Sequence, residues 1–414
     1  MLLIKNIKEL VGILSEETLL LKGKEMSSLN RIKNAFLIIK DDKIFDFGKM
    51  ENYNKANYKI TEEIDANDKI VMPSFCDSHT HLVYAGSREI EYSDKIRGLS
   101  YEEIAKRGGG ILNSSKLLNE TSEDELYRQS KLRLDEIISL GTGAVEVKSG
   151  YGLNTQNELK MLRVIKRLKE NSDIIIKSNF LAAHAFPLEY KNNPDEYVDL
   201  IINEMLPLVA TEELADYIDV FCDKGFFTPT QTERILMAGI KYGLRPKIHA
   251  NELALSGGIQ VGVKYNALSV DHIEYTGDEE IEILKNSETM PTILAGAAFF
   301  LNMPYAPARK MIDAGLPVAF ASDYNPGSSP SGNMKLIMSF ACVNYKLLVE
   351  EALNATTINT AYAIDCSDVV GSITKGKYAN LIITKNIPTL DFFPYAYGSD
   401  LIDKVILKGK IVRK

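Results

Sequence analysis

Cysteine is scarce in this chain. Cys76, Cys222, Cys342 and Cys366 are its four cysteines in 414 residues, and no two form a C-x-x-C. That scatter excludes a disulfide framework and reads as free buried thiols in a reducing compartment. Long hydrophobic runs are missing too: no stretch reaches the ~18 apolar residues of a membrane span. The opening Met1-Leu2-Leu3-Ile4-Lys5-Asn6 meets charged residues too early for a secretory signal, so the cytoplasm is the expected location. Polybasic blocks are absent and the formal net charge is −8, which argues against a nucleic-acid partner. No G-x-G-x-x-G opens a helix. The triple Gly108-Gly109-Gly110 lacks the Lys-Ser/Thr of a phosphate loop and reads instead as a mobile lid. Histidine is nearly as rare as cysteine, at five residues, so its placement carries information.

What is present is ordinary in bulk. A hydrophobic share of 45% and a charged share of 25% suit a globular enzyme with a sizeable core. Residues 1–70 are rich in short β-like runs, such as Leu2-Leu3-Ile4 and Ala35-Phe36-Leu37-Ile38-Ile39, bounded by turn residues. Residues 367–414 repeat the style, with Ala379-Asn380-Leu381-Ile382-Ile383 and Lys404-Val405-Ile406-Leu407. One small β-sandwich domain assembled from both termini is the expectation, flanking a barrel over 71–366. In the middle, Ser122 caps a helix with Glu125 at N3. Gly141 ends that helix, and Leu126, Ser130, Leu134, Ile137 and Ile138 line one face. A second helix carries Met161, Leu162, Ile165 and Leu168. Strands are expected in the apolar run Ile70-Val71-Met72-Pro73-Ser74-Phe75-Cys76 and over 143–148, 174–183, 218–222, 246–249, 267–270, 289–294 and 317–321. Eight such strand–helix units predict an α/β fold, a TIM (β/α)8 barrel; a doubly wound open sheet is the alternative.

The polar residues then fall into a pattern. His79 and His81, Lys148, His184, His249, His272 and Asp323 all stand at or just past the carboxyl ends of separate strands, where barrel enzymes build active sites. In His79-Thr80-His81 the two imidazoles are i and i+2 and point the same way at a strand end, able to grip one ion. With His249 and Asp323 they make a nitrogen and oxygen set suited to Zn²⁺, with Fe²⁺ or Mn²⁺ possible. A metal there lowers the pKa of its bound water towards ~7 and generates hydroxide at neutral pH. His272 can hydrogen-bond that water, and Asp323 can take its proton. A lone histidine at a strand end is more often structural; four strand ends plus a terminal Asp reverse that reading. Cys76 and Cys222 read as apolar barrel filling.

These residues resemble the amidohydrolase superfamily over the entire chain. Four longer runs, DSHTHLVYAG (77–86), YEEIAKRGGGI (101–111), EVKSGYGL (146–153) and DYNPGSSP (323–330), are similar to the imidazolonepropionase family within it. The resemblance implies hydrolysis of a ring C–N bond of 4-imidazolone-5-propanoate to N-formimidoyl-L-glutamate by a metal-bound hydroxide. It implies one divalent metal per chain, Zn²⁺ or iron, held by His79, His81, His249 and Asp323, and a homodimer.

For a substrate bearing a propionate, Arg88 can pair bidentately with the carboxylate, against the plainer reading of an ion pair with Glu89 or Glu91. Tyr151, on a Gly-flanked loop, matches a substrate-binding position. His184 matches another, expected at the carbonyl oxygen. Asn325, Gly327 and Ser328 match positions that hold substrate or product. Glu252 is expected to serve the leaving ring nitrogen, against a plainer role in the first turn of a helix. Lys148 reads as a structural or electrostatic group and not as a bridge between two metals. Two other functions stay open on residues alone: a cyclic amidine deaminase of purine or pyrimidine type, and a binding protein on an inactive barrel.

Overall fold

In the computed structural model, which describes residues 1–99, 103 and 109–413, sixteen strands form two separate eight-stranded sheets. Gly108 of the expected lid, and all of the 101–111 block except Glu103 and 109–111, lie outside the described residues. The first sheet is mixed and comes from the chain ends: β1 (Leu2–Ile13), β2 (Asn30–Lys40), β3 (Lys43–Lys49), β4 (Glu62–Asp65) and β5 (Ile70–Pro73), with β14 (Leu381–Thr384), β15 (Ile402–Leu407) and β16 (Lys410–Arg413). Strand alternation gives it two buried faces. Val71, Leu381, Ile383 and Ile406 join one apolar cluster with Leu2, Ile4 and Leu10. Ile70, Met72, Ile382 and Val405 point the other way, into the main core shared with the barrel.

One expectation shifts here. The apolar run before His79 is not one barrel strand. Ile70–Pro73 pairs with β1 and β14, and the chain crosses to the barrel at Ser74, a little past the expected boundary.

The second sheet is the barrel, all parallel: β6 (Phe75–Thr80), β7 (Thr142–Lys148), β8 (Ile175–Ala183), β9 (Tyr217–Cys222), β10 (Arg245–Ala250), β11 (Ser269–His272), β12 (Met290–Ile293) and β13 (Ala319–Phe320). Consecutive strands are neighbours throughout. The seam between β13 and β6 is closed just past β13, where the Asp323 amide donates to the His79 carbonyl (3.0 Å) and the His81 amide to the Tyr324 carbonyl (2.9 Å). Ser322 reinforces it by donating its amide (3.0 Å) and hydroxyl (2.5 Å) to the Asp77 carboxylate.

The helices are where the periodicity predicts them. In the helix Glu123–Ser139, Ser122 accepts from the Glu125 amide, and Leu126, Ser130, Leu134 and Ile137 are buried. Helix Thr155–Glu170 buries Met161, Leu162, Ile165 and Leu168. The four cysteines are unpaired; Cys342 is only half buried, unlike the other three. Among the described residues no helix is long and apolar enough to cross a membrane.

Candidate metal centre and active site

Barrel interiors are usually filled by branched apolar side chains. This one is filled with charge below its mouth. Glu146, Lys148, Asn179, Asp219, Lys247 and Asp271 are all fully buried. The Lys148 ammonium donates to Glu146 (2.6 Å) and Asp219 (2.8 Å), and the Asn179 amide bonds the same two carboxylates. Lys247 lies 3.7 Å from Asp271 and donates to the Ser78 and Ala363 carbonyls. Burial of so many charges is tolerable only because each is paired.

The outer oxygens of this network set the histidines above it. His79 Nδ1 lies 2.6 Å from Asp271, and His249 Nδ1 lies 3.0 Å from Asp219. A carboxylate fixes the proton on Nδ1 and leaves Nε2 bare, the form that binds a metal. The Nε2 atoms of His81 and His249 are 3.5 Å apart, and Asp323 Oδ1 sits 3.6 Å from His79 Nε2 and 3.5 Å from His81 Nε2. Burial, with the positive charge of Lys148 behind it, holds the His79 ring far below its ordinary pKa. Burial and the neighbouring imidazoles do the same to His81, while burial takes His249 to about 4. His79 Nε2 and Asp323 Oδ1 are buried polar atoms with no hydrogen-bond partner. Such atoms are expensive in a protein interior unless something else binds them. Neutral imidazoles converging with a carboxylate fit a divalent cation. His79, His272 and Asp323 also converge, so His272 lies within reach of the same point.

Every other predicted site residue lines a single cavity of about 1160 Å³ over this cluster; His79 is buried behind it. Glu252 faces His272 Nε2 at 3.6 Å. It is not in the first turn of a helix, since the next one starts at Gly258; Asp223 accepts the amides of Glu252 and Leu253 and so fixes the loop. Burial pushes the Glu252 carboxyl up to about 7 and Asp323 to about 6. Burial opposes charge on His272 as well, but the carboxylates of Glu252, Glu274 and Asp323 override it and raise the ring to about 10.

Across the cavity, Arg88 gives Nε and Nη2 to one oxygen of Glu91 (2.9 and 2.6 Å), and the pair is largely buried. The other Glu91 oxygen accepts the Gly110 amide at 3.0 Å. Asn325 is occupied by its own loop: its carbonyl oxygen accepts the amides of Gly327 and Ser328, and its amide donates to the Asp323 carbonyl and Ser328 Oγ. Ser328 Oγ in turn donates to Asp323 at 3.2 Å. Tyr151 is buried beside His81 and His184, with ring centroids 5.8 and 5.3 Å away.

His184 is tied to the loop that carries Tyr151. Its Nδ1 lies 3.0 Å from the Gly150 carbonyl, which only accepts, so Nδ1 carries the proton. Burial holds the ring near 4, hence neutral, and Nε2 faces the cavity as an acceptor.

Asp219, Asp271, Asp223 and Glu274 were not singled out from sequence, whereas Glu91 entered as the plainer partner of Arg88, and that ion pair is present. The signal for the first two was a charge inside an otherwise apolar parallel strand, such as Ile218-Asp219-Val220, which only an interior partner can explain.

The amidohydrolase family profile matches residues 240–412. The chain is 58% identical over 411 residues to the imidazolonepropionase of Christiangramia forsetii, with 99% of this chain and 100% of that protein covered. It is also 58% identical over 410 residues to that of Flavobacterium johnsoniae, covering 99% of each. Among solved structures, the zinc complex of atrazine chlorohydrolase from Arthrobacter aurescens TC1 superposes with a TM-score of 0.74 at 16% identity, over 100% of this chain and 95% of that one. A zinc-bound adenosine deaminase from Xanthomonas campestris gives 0.73 at 16%, over 99% and 92%. At that identity the likeness is one of fold.

Proposed function

Because this chain belongs to the imidazolonepropionase family of the amidohydrolases, we infer how its barrel mouth hydrolyses the ring C–N bond of 4-imidazolone-5-propanoate to N-formimidoyl-L-glutamate. The observation that carries the reading is one cavity with the His/Asp cluster in its floor and a guanidinium, Arg88, in its wall. The first suits water activation, the second a carboxylate tail.

In this reading His79, His81, His249 and Asp323 hold one divalent ion, Zn²⁺ or Fe²⁺. When bound, such an ion supplies a water acidic enough to react at neutral pH and polarises the carbonyl under attack. Arg88 takes the propionate, with Tyr151 walling the same pocket, and the 325–328 loop sets its edge. His184 Nε2 accepts a ring N–H and so orients the ring. Asp323 receives the water's proton. His272, between carboxylates, donates a hydrogen bond at the reacting carbon's oxygen. Glu252, which burial keeps protonated to about pH 7, passes a proton to the departing ring nitrogen.

The test is a coupled assay. Imidazolone propionate is generated in situ and its absorbance loss followed with and without chelator, beside metal analysis of the protein. Chelator-sensitive loss with formimidoylglutamate appearing is the expected result. Ammonia release from cyclic amidines with no formimidoylglutamate would move the site to the deaminases.

The proposed partner beyond substrate is a second copy of the chain. Phe299, Val343 and Tyr395 are exposed at 55%, 66% and 78% on three helices, Ala295–Leu301, Met334–Val343 and Phe392–Tyr395, that pack together. Light scattering giving a monomer mass would remove this reading. The proposed location is the cytoplasm, where four unpaired thiols are stable.

A further inference from the structure

Glu274 is a buried acid to which the mechanism above gives no task. Its side chain is 1% exposed, and neither carboxylate oxygen has a hydrogen-bond partner. A carboxylate desolvated in that way is costly unless a cation or donor faces it. Among the described residues the one basic group within 4 Å of it is His272, whose Nδ1 lies 3.8 Å from Glu274 Oε2; the buried Tyr345 hydroxyl, also without a partner, feels the same carboxylate. That Nδ1 is itself buried and unpartnered. Two orphans therefore point at each other across slightly more than a hydrogen bond.

The backbone explains how they meet. Residues i and i+2 of a strand share a face, yet Asp271 and His272, on opposite sides of β11, serve His79 and the cavity respectively. The chain then turns sharply: His272 has φ +79° and Ile273 φ +61°. Two successive non-glycine residues in the left-handed region, one of them β-branched, are strained. The turn is clamped by the Ile273 amide on the Ala250 carbonyl (3.0 Å) and the Tyr275 amide on the Asn251 carbonyl (2.9 Å). It brings Glu274 back behind the His272 ring. The opposite ring nitrogen, Nε2, then faces Glu252 and the cavity.

We propose that Glu274 is a positioning residue: its carboxylate accepts the Nδ1 proton of His272, locks the ring's orientation, and so aims Nε2 at the reacting carbonyl. It touches neither substrate nor metal. The inference rests on the assignment of His272 to the reaction.

The experiment compares Glu274→Leu and Glu274→Gln, as zinc-loaded protein, by kinetics and by ring-nitrogen NMR of ¹⁵N-histidine protein. With five histidines the spectrum is small, and His272→Gln assigns the pair of signals in question. Glu274→Leu should lower kcat by about a hundredfold with KM within about threefold, as expected when a transition-state contact is misaimed. Glu274→Gln keeps an acceptor and should restore kcat to within about tenfold of wild type. In both variants the His272 nitrogen signals should move while those of the other four histidines stay. If Glu274→Leu does not fold, the Gln variant's spectrum decides. Unmoved His272 signals in Glu274→Gln would overturn the proposal. The spectra are recorded without substrate, so a moved His272 signal with unaffected turnover would overturn the assignment of His272 to catalysis and leave the pairing standing.

Discussion

The Arg88 guanidinium lies so close to Gly327 that a Cβ on Gly327 would fall 2.0 Å from Nη1 and 2.5 Å from Cζ. The absence of a side chain at 327 is therefore what allows Arg88 its position over the cavity. Gly327→Ala is expected to push the flexible guanidinium aside with little loss of stability. KM for the imidazolone substrate should rise about tenfold, with kcat much less affected, because a remote binding contact is lost. Steady-state kinetics beside a melting curve check this; an unchanged KM would detach Arg88 from the propionate.

Metal affinity should depend on Asp219, though it is not a ligand. It holds His249 Nδ1 at 3.0 Å and Lys148 at 2.8 Å. Asp219→Asn keeps the shape but weakens the hold on the ring, and affinity should fall about 10–100-fold. Competition with a chromophoric chelator gives the number.

Removing the Lys148 ammonium strands two buried carboxylates, Glu146 and Asp219. Lys148→Met should destabilise the fold by about 3–5 kcal/mol, read as a lower midpoint in urea. Metal analysis of the wild-type protein should give one ion per chain, since the lysine is engaged by carboxylates; two ions would revive a bridging role.

Stability should rise with alkaline pH through Lys377, which is 3% exposed and donates to the Ser367 carbonyl and Ser372 Oγ. Burial lowers it from 10.5 to about 8. Between those values the unfolded chain binds the proton and the folded one does not, so the penalty present below about 8 is relieved as pH climbs to 10.5. The wild type should gain up to about 3 kcal/mol over that window relative to Lys377→Met. Urea denaturation of both proteins at pH 7.5 and 10 tests it; parallel curves would refute it.

Much of this protein is legible along the chain. Most of the eight parallel strands carry short apolar runs, and several end on a polar residue delivered to the mouth; that pattern is local. His79, His81, His184, His249, His272 and Asp323 could thus be placed at one end of a barrel before any contact was known. What stayed hidden were partners. Nothing local says that Asp219 serves His249 while Asp271 serves His79, because those pairings depend on the register of neighbouring strands. Nor does composition tell that the run before His79 divides at Ser74 between two sheets.

The sequence by itself determined the barrel and the metal-binding residue types, through strand alternation and the chemistry of each side chain. The tertiary structure alone decided which ring nitrogen of His79, His184 and His249 carries the proton, that Arg88 pairs with Glu91 and not Glu89, and that Glu274 turns back beneath His272. The reason is physical: alternation is a property of one strand, whereas tautomer, charge and strain are set by whichever groups barrel closure brings within a few ångströms.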